Sequence, residues 1–114
     1  MKITVKSKFW IEADGQPVFG RGRKELLDAI DRCGSINRAA AEMNMSYRKA
    51  WGAIRAMEER LRIRLIERTT GGPEGGGAVL TDDARKFMAQ YRAVESGMQQ
   101  YVDERFKAVF RSGE

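Results

Sequence analysis

Arg48, Lys49 and Arg55, with the small residues Gly52 and Ala56 between them, are the side chains whose type and spacing suggest a chemistry. If Ser46 to Leu61 is a helix with Ile54 at the centre of its buried edge, a turn of 100° per residue puts all five on the opposite side. Long cations reach phosphate oxygens and guanine edges, and small residues let a helix sit deep in a major groove. Catalysis has much less to work with. The chain has no histidine, which removes the commonest general base and metal ligand. Its one cysteine, Cys33, cannot form an intrachain disulfide, and its apolar register late in a predicted helix suggests a core thiol. The glycine-rich stretch GGPEGGG at 71–77 lacks the Lys-Ser/Thr pair of a nucleotide-cradling loop. No catalytic residue, metal ligand or cofactor is assigned.

A basic face could be no more than the solvated side of an ordinary helical hairpin, so the surrounding elements decide its use. Ser35 is a good helix cap, followed by Ala39, Ala40 and Met43 at helical spacing. Asn44 tolerates the left-handed backbone of a tight turn, and Ser46 is a second cap. Ala50, Ile54, Met57 and Leu61 then share one face. Two helices that cross after so short a link need small side chains at the contact, and Ala39, Ala40 and Ala50 supply them. This is a helix-turn-helix pattern. Tyr47 and Trp51 lie nearer the buried edge and are read as partly core. An earlier helix, Arg21 to Cys33, carries Leu26, Leu27 and Ile30 in register and stops at Gly34. Its acids, Glu25, Asp28 and Asp31, suit it to packing beneath the pair rather than to facing phosphates. Residues 21–63 thus form a three-helix core.

The flanks add β structure and a long tail. Residues 1–20 alternate polar and apolar side chains around Asp14-Gly15, which predicts an N-terminal hairpin with Lys2, Lys6 and Lys8 exposed as edge protection. After the core, Arg64–Thr70 and Ala78–Leu80 read as two short strands joined by 71–77, making a wing over residues 64–80. Thr81 caps a last helix, with Asp82 and Asp83 in its first turn. It is expected to run over residues 81–111. Its apolar stripe, Phe87, Tyr91, Val94, Met98 and Tyr101, drifts to Val102 and Phe106, which predicts a seam against a second copy. The fold class is mainly α with small β elements (α+β), in one domain of 114 residues.

Charge follows the same division. The net charge is +5 with a pI near 9.7. Residues 1–24 hold six Lys/Arg against two acids and residues 35–80 eight against five, whereas residues 81–114 balance. A basic body with a neutral tail fits a nucleic-acid-binding module carrying a separate self-association element. No apolar run approaches the ~20 residues of a membrane span, and no signal-peptide core follows Met1. The cytoplasm is the expected compartment.

Three stretches carry a family resemblance: GSINRAAAEMNMSYRKAW at 34–51, LIERTTGGPEGGGAVLT at 65–81, and the helix that follows. They resemble the N-terminal DNA-binding domain of the molybdate-responsive regulators, the ModE family, and more loosely the LysR-type regulators. The resemblance implies a winged helix-turn-helix that dimerises through its N- and C-terminal elements on a palindromic operator. By position, Ser46, Tyr47, Arg48 and Lys49 open the recognition helix, with Gly52 and Arg55 further along it. Arg68, Thr69, Thr70, Gly71, Gly72, Gly75, Gly76 and Gly77 fall in the wing. The ModE family's molybdate-binding region has no counterpart in these 114 residues, so oxyanion sensing is not expected of them. The expected function is sequence-specific binding of double-stranded DNA by a homodimeric transcriptional regulator, with no membrane partner. The alternative is a protein–protein interaction module that keeps the fold and pairs with another regulator or enzyme.

Overall fold

The computed structural model describes residues 1–69 and 77–110. Leu26, Leu27 and Ile30 recur at helical spacing and build α1 (Arg21–Cys33), whose inner face they bury with Ala29. Gly34 ends it in the left-handed region at φ 69°, its N–H donating to the Ile30 carbonyl at 2.8 Å. Helix α2 (Ile36–Glu42) starts at Ser35, whose hydroxyl accepts from the Arg38 N–H. Asn44 takes the left-handed turn at φ 56°. Helix α3 (Tyr47–Leu61) then starts at Ser46, whose hydroxyl accepts from the Lys49 N–H at 3.0 Å. Ala39, Ala40 and Ala50 are all buried where α2 and α3 approach, so a larger side chain there would force the helices apart. Cys33 departs from the expected core position. It is half-buried at the end of α1, with Sγ 3.9 Å from the Glu42 carboxylate, beside the Arg32–Glu42 ion pair.

The N-terminal hairpin is shorter than the alternation predicts. Only β1 (Ile11–Ala13) and β2 (Gln16–Phe19) pair, antiparallel, across an Asp14-Gly15 turn with φ of 50° and 78°. That is the double positive-φ signature of the tight hairpin. Residues 1–10 form no strand. Instead they follow the last helix, α4 (Asp82–Phe110). Phe9 stacks on Tyr91 at 4.9 Å, the Ser7 hydroxyl donates to the Gln99 side chain at 2.9 Å, and Val5 lies with Tyr101 and Phe106. Falling residue number in one segment matches rising number in the other, so they run antiparallel. For residues 1–10, side-chain contacts with α4 take the place of strand pairing.

The second sheet is the base of the wing: β3 (Ile66–Thr69) pairs antiparallel with β4 (Gly77–Leu80), Thr69 opposite Gly77 and Ile66 opposite Leu80. The expected strands at 64–70 and 78–80 shift by one or two residues. Glu58 turns the chain from α3 into β3, its carboxylate accepting from the N–H groups of Leu65 (2.8 Å) and Ile66 (3.4 Å). Thr81 joins the wing to α4, donating its hydroxyl proton to the Arg64 carbonyl and accepting from the Ala84 N–H. The acids of α1 face α4, as a packing role requires: Arg85 grips Asp31 with two hydrogen bonds, and Arg92 reaches Asp28 at 3.6 Å. Asp31 raises the Arg85 pKa through that hydrogen bond and its charge.

Phe19 meets Phe87 and Tyr91 edge-on at 4.9 and 4.8 Å, which ties the hairpin to the start of α4. Tyr91 is only 2% exposed. Burial first, then Glu95, push its phenol up, against the pull of Arg21. The phenol is therefore neutral at pH 7, and its contribution to stability is fully present below the ordinary phenol range near ~10 and is lost as pH rises beyond that range through the raised folded value. No helix of the described residues is long and apolar enough to cross a membrane.

Gly77 has a packing reason to be glycine. A Cβ there would lie 2.8 Å from the Thr69 hydroxyl and 2.9 Å from the Gly34 carbonyl, which already accepts from the Ala78 N–H. Gly77→Ala is expected to destabilise the fold by about 1–3 kcal/mol, since the backbone oxygen must shift. A urea titration measures this, and an unchanged midpoint would contradict the tight docking of β4 on the end of α1.

Candidate nucleic-acid interface

Ala50, Ile54 and Met57 are completely buried, and their position fixes the outward face of α3. Arg48, Lys49, Gly52 and Arg55 lie exposed on that face, while Ala56 is half-buried at its margin. Among the described residues none of the three cations forms an ion pair. Nothing within 4 Å would meet a Cβ on Gly52. The arrangement is a helix surface with three unneutralised charges and a central gap in its side-chain layer. Phosphates and base edges are the chemistry it matches.

The wing meets this helix at one point that the sequence reading missed. Arg68 Nη2 donates to the Tyr47 hydroxyl oxygen at 2.8 Å, and the guanidinium carbon lies 4.7 Å from the centre of the Trp51 ring. Tyr47 and Trp51 are one helical turn apart, so both face β3. Trp51 is half-buried, as expected, but Tyr47 is exposed at the first position of α3 rather than partly core. An i, i+4 aromatic pair at the start of a helix, followed by an arginine on the next strand, is the pattern that carries this contact. Thr69 is exposed at the end of β3. Gly77, expected to meet DNA, has the packing role described above. Thr70, Gly71, Gly72, Gly75 and Gly76 lie outside the described residues.

The expected dimer seam divides into two parts. Tyr91 is buried and Phe87 half-buried within the protomer, because Phe9 and Phe19 cover them, so these two do not belong to an exposed seam. Beyond them α4 is uncovered: Val94 is 50% exposed, Met98 38% and Tyr101 61%. At 100° per residue these three fall within about 60° of one another. Val102 and Phe106 are half-buried beside an apolar groove of about 270 Å³, shared with Val5, Val109 and Phe110.

Residues 23–85 match the model of the bacterial regulatory helix-turn-helix proteins of the lysR family. The chain belongs to that family. It is 47% identical over 81 residues to the molybdenum transport protein ModE of Azotobacter vinelandii, covering 71% of this chain and 30% of the relative. To the DNA-binding transcriptional dual regulator ModE of Escherichia coli K12 it is 37% identical over 89 residues, covering 77% and 34%. The chain therefore spans about a third of the length of these curated relatives. Among solved structures it resembles the CbnR DBD–DNA complex, with a TM-score of 0.56 and 19% identity over 77% of this chain and 95% of that one. It likewise resembles the BenM DBD/benA site 1 DNA complex, with a TM-score of 0.54 and 20% identity over 82% and 97%. At these identities the likeness establishes the winged helix-turn-helix fold.

Two substitutions separate stability from surface chemistry. Gly52→Ala, in open space in the middle of α3, should stabilise the fold by about 0.5–1 kcal/mol, the difference in helix propensity. Arg48→Ala and Lys49→Ala should leave the melting temperature within a few degrees, because neither side chain is buried or paired. Thermal melts of the three variants test this. Unfolding in the Arg48 or Lys49 variant would mean that the cationic face is part of the core.

Proposed function

We propose that this chain is a sequence-specific, double-stranded-DNA-binding transcriptional regulator of the ModE type that acts as a homodimer. The observation that carries the reading is the exposed, unpaired Arg48–Lys49–Arg55 face of α3, with the wing base held beside it by Arg68. The N-terminal half of α3 enters the major groove, where Arg48 and Lys49 meet base edges or phosphates, and the wing lies along the adjacent backbone. Family membership and the ModE relatives support the same reading. The exposed Val94–Met98–Tyr101 stripe is covered by the same stripe of a second copy, because an apolar helix face over about two turns is costly to leave in water. A two-fold dimer then reads a pseudo-palindrome with half-sites one or two turns apart, multiples of about 34 Å.

The binding test uses duplexes selected from a random pool, titrated by fluorescence anisotropy at 50 and 200 mM salt. Six cations per dimer, Arg48, Lys49 and Arg55 of each copy, would lower affinity by about 10³ across that range if all lie at phosphates. Arg48→Ala or Lys49→Ala should weaken binding further, at particular base pairs if the contact is to bases and uniformly if to phosphate. Weak binding with little salt dependence would refute the reading and favour an interaction module. The dimer has its own test. Val94→Lys places a charge in the apolar stripe and should give a monomer by light scattering, with the core still folded and affinity reduced to that of one half-site. A wild-type monomer that binds its selected duplex tightly would refute the homodimer.

A further inference from the structure

A guanidinium has only donors. In the 2.8 Å bond between Arg68 Nη2 and the Tyr47 oxygen, the phenol is therefore the acceptor. Its own proton is left over, and among the described residues no acceptor takes it. Tyr47 is 40% exposed at the first position of α3, next to Arg48 and Lys49 in sequence, so an acceptor outside the protein can reach its hydroxyl. Arg68 is held in turn. Its guanidinium carbon lies 4.7 Å from the centre of the Trp51 ring, and among the described residues it has no carboxylate to neutralise it. An unneutralised guanidinium donating to a phenol oxygen withdraws electron density from it and strengthens the phenol as a donor.

We propose that Tyr47 is a specificity-determining residue of the DNA interface and that Arg68 is its positioning residue. Arg68, seated on Trp51, fixes the polarity of the Tyr47 hydroxyl so that it donates to an acceptor on a base edge. This deepens the DNA-binding reading and rests on it. The first residues of a recognition helix are those that reach bases, which favours a base edge over a phosphate for Tyr47. A donor fixed in this way donates to purine N7, guanine O6 or thymine O4 and finds no acceptor at the cytosine amino group. Lysine at position 68 would keep the charge but not the planar stack together with the directed hydrogen bond. The pairing also ties the wing to the recognition helix, so base preference and wing position change together.

The experiment compares wild type, Tyr47→Phe, Arg68→Lys and the double variant on one duplex selected from a random pool by wild type. Each protein is titrated against that duplex, every single-base variant of it, and a random-sequence duplex. Tyr47→Phe should lose roughly five- to hundredfold on the selected duplex, the range expected when one buried base-edge acceptor is left without its donor, and about twofold or less on the random one. The loss should be a preference at a single position in each half-site. Arg68→Lys should lose the same preference at the same position, and the double variant should be no worse than either single one, as for two groups acting as a unit. Losses at different positions, or effects that multiply, would overturn the proposal. So would a Tyr47→Phe variant with unchanged base preference. A DNA-free readout checks the stack itself. Trp10→Phe leaves Trp51 as the sole tryptophan, and Arg68→Lys in that background should shift its emission without lowering the melting temperature. Unchanged emission would also overturn the proposal. If wild type selects no duplex from the pool, the DNA-binding reading fails as well, an outcome distinct from a change confined to the variants.

Discussion

The burial of Ala50, Ile54 and Met57 determines what the rest of the molecule can present. These three side chains fix the rotation of α3 about its axis, and the close crossing with α2 holds it there because Ala39, Ala40 and Ala50 leave no room for rearrangement. A rotation of about 180° would exchange the buried edge for the cationic one, at the cost of burying unpaired charge. With that rotation set, Arg48, Lys49 and Arg55 have only solvent in front of them. The two serine caps and the left-handed Asn44 fix the angle at which the helices meet, and the Glu58 carboxylate directs the chain out of α3 into β3. The wing base is thus placed by the helix it accompanies.

The tail helix depends on a different device. Its first part is anchored by Phe19, Phe87 and Tyr91 and by the ion pairs of Arg85 and Arg92 with α1. The exposed ion pairs add little individually, so the anchoring rests chiefly on aromatic burial. Beyond Tyr91 the helix leaves the body, and the molecule is 59 Å long but only 31 by 22 Å across. The N-terminal segment covers one side of this projection through Ser7, Phe9 and Val5. On the neighbouring side Val94, Met98 and Tyr101 are exposed among the described residues. The exposed cationic face of α3 and the exposed apolar stripe of α4 are therefore physically separate.

Much of this was legible in residue order because it depends on short-range rules. The caps at Ser35 and Ser46, the stop at Gly34, the Asp14-Gly15 turn and the face carrying Arg48 and Lys49 all follow from spacing within a few residues. The misreadings came from contacts between distant segments. The alternation in residues 1–10 suggested a strand, but those side chains pack on α4 some 90 residues later, as the Ser7–Gln99 bond illustrates. For the same reason Phe87 and Tyr91 belonged to the protomer and not to the seam: a helical stripe shows that a face is apolar but does not identify what covers it. Spacing alone makes Tyr47 look partly core because its polar partner, Arg68, lies 21 residues away. Cys33 had the right register but sits at a helix end, where the core has already thinned.

The central claim, that α3 and the wing base form one nucleic-acid-facing surface, is tested most directly by mapping backbone amide chemical shifts as a selected duplex is added to isotope-labelled protein. The account predicts that the largest changes fall on Ser46 to Arg55 and on Arg68 and Thr69, with α1 and the distal half of α4 nearly unmoved. Changes centred on α1 or on Val94 to Tyr101, with α3 undisturbed, would contradict it.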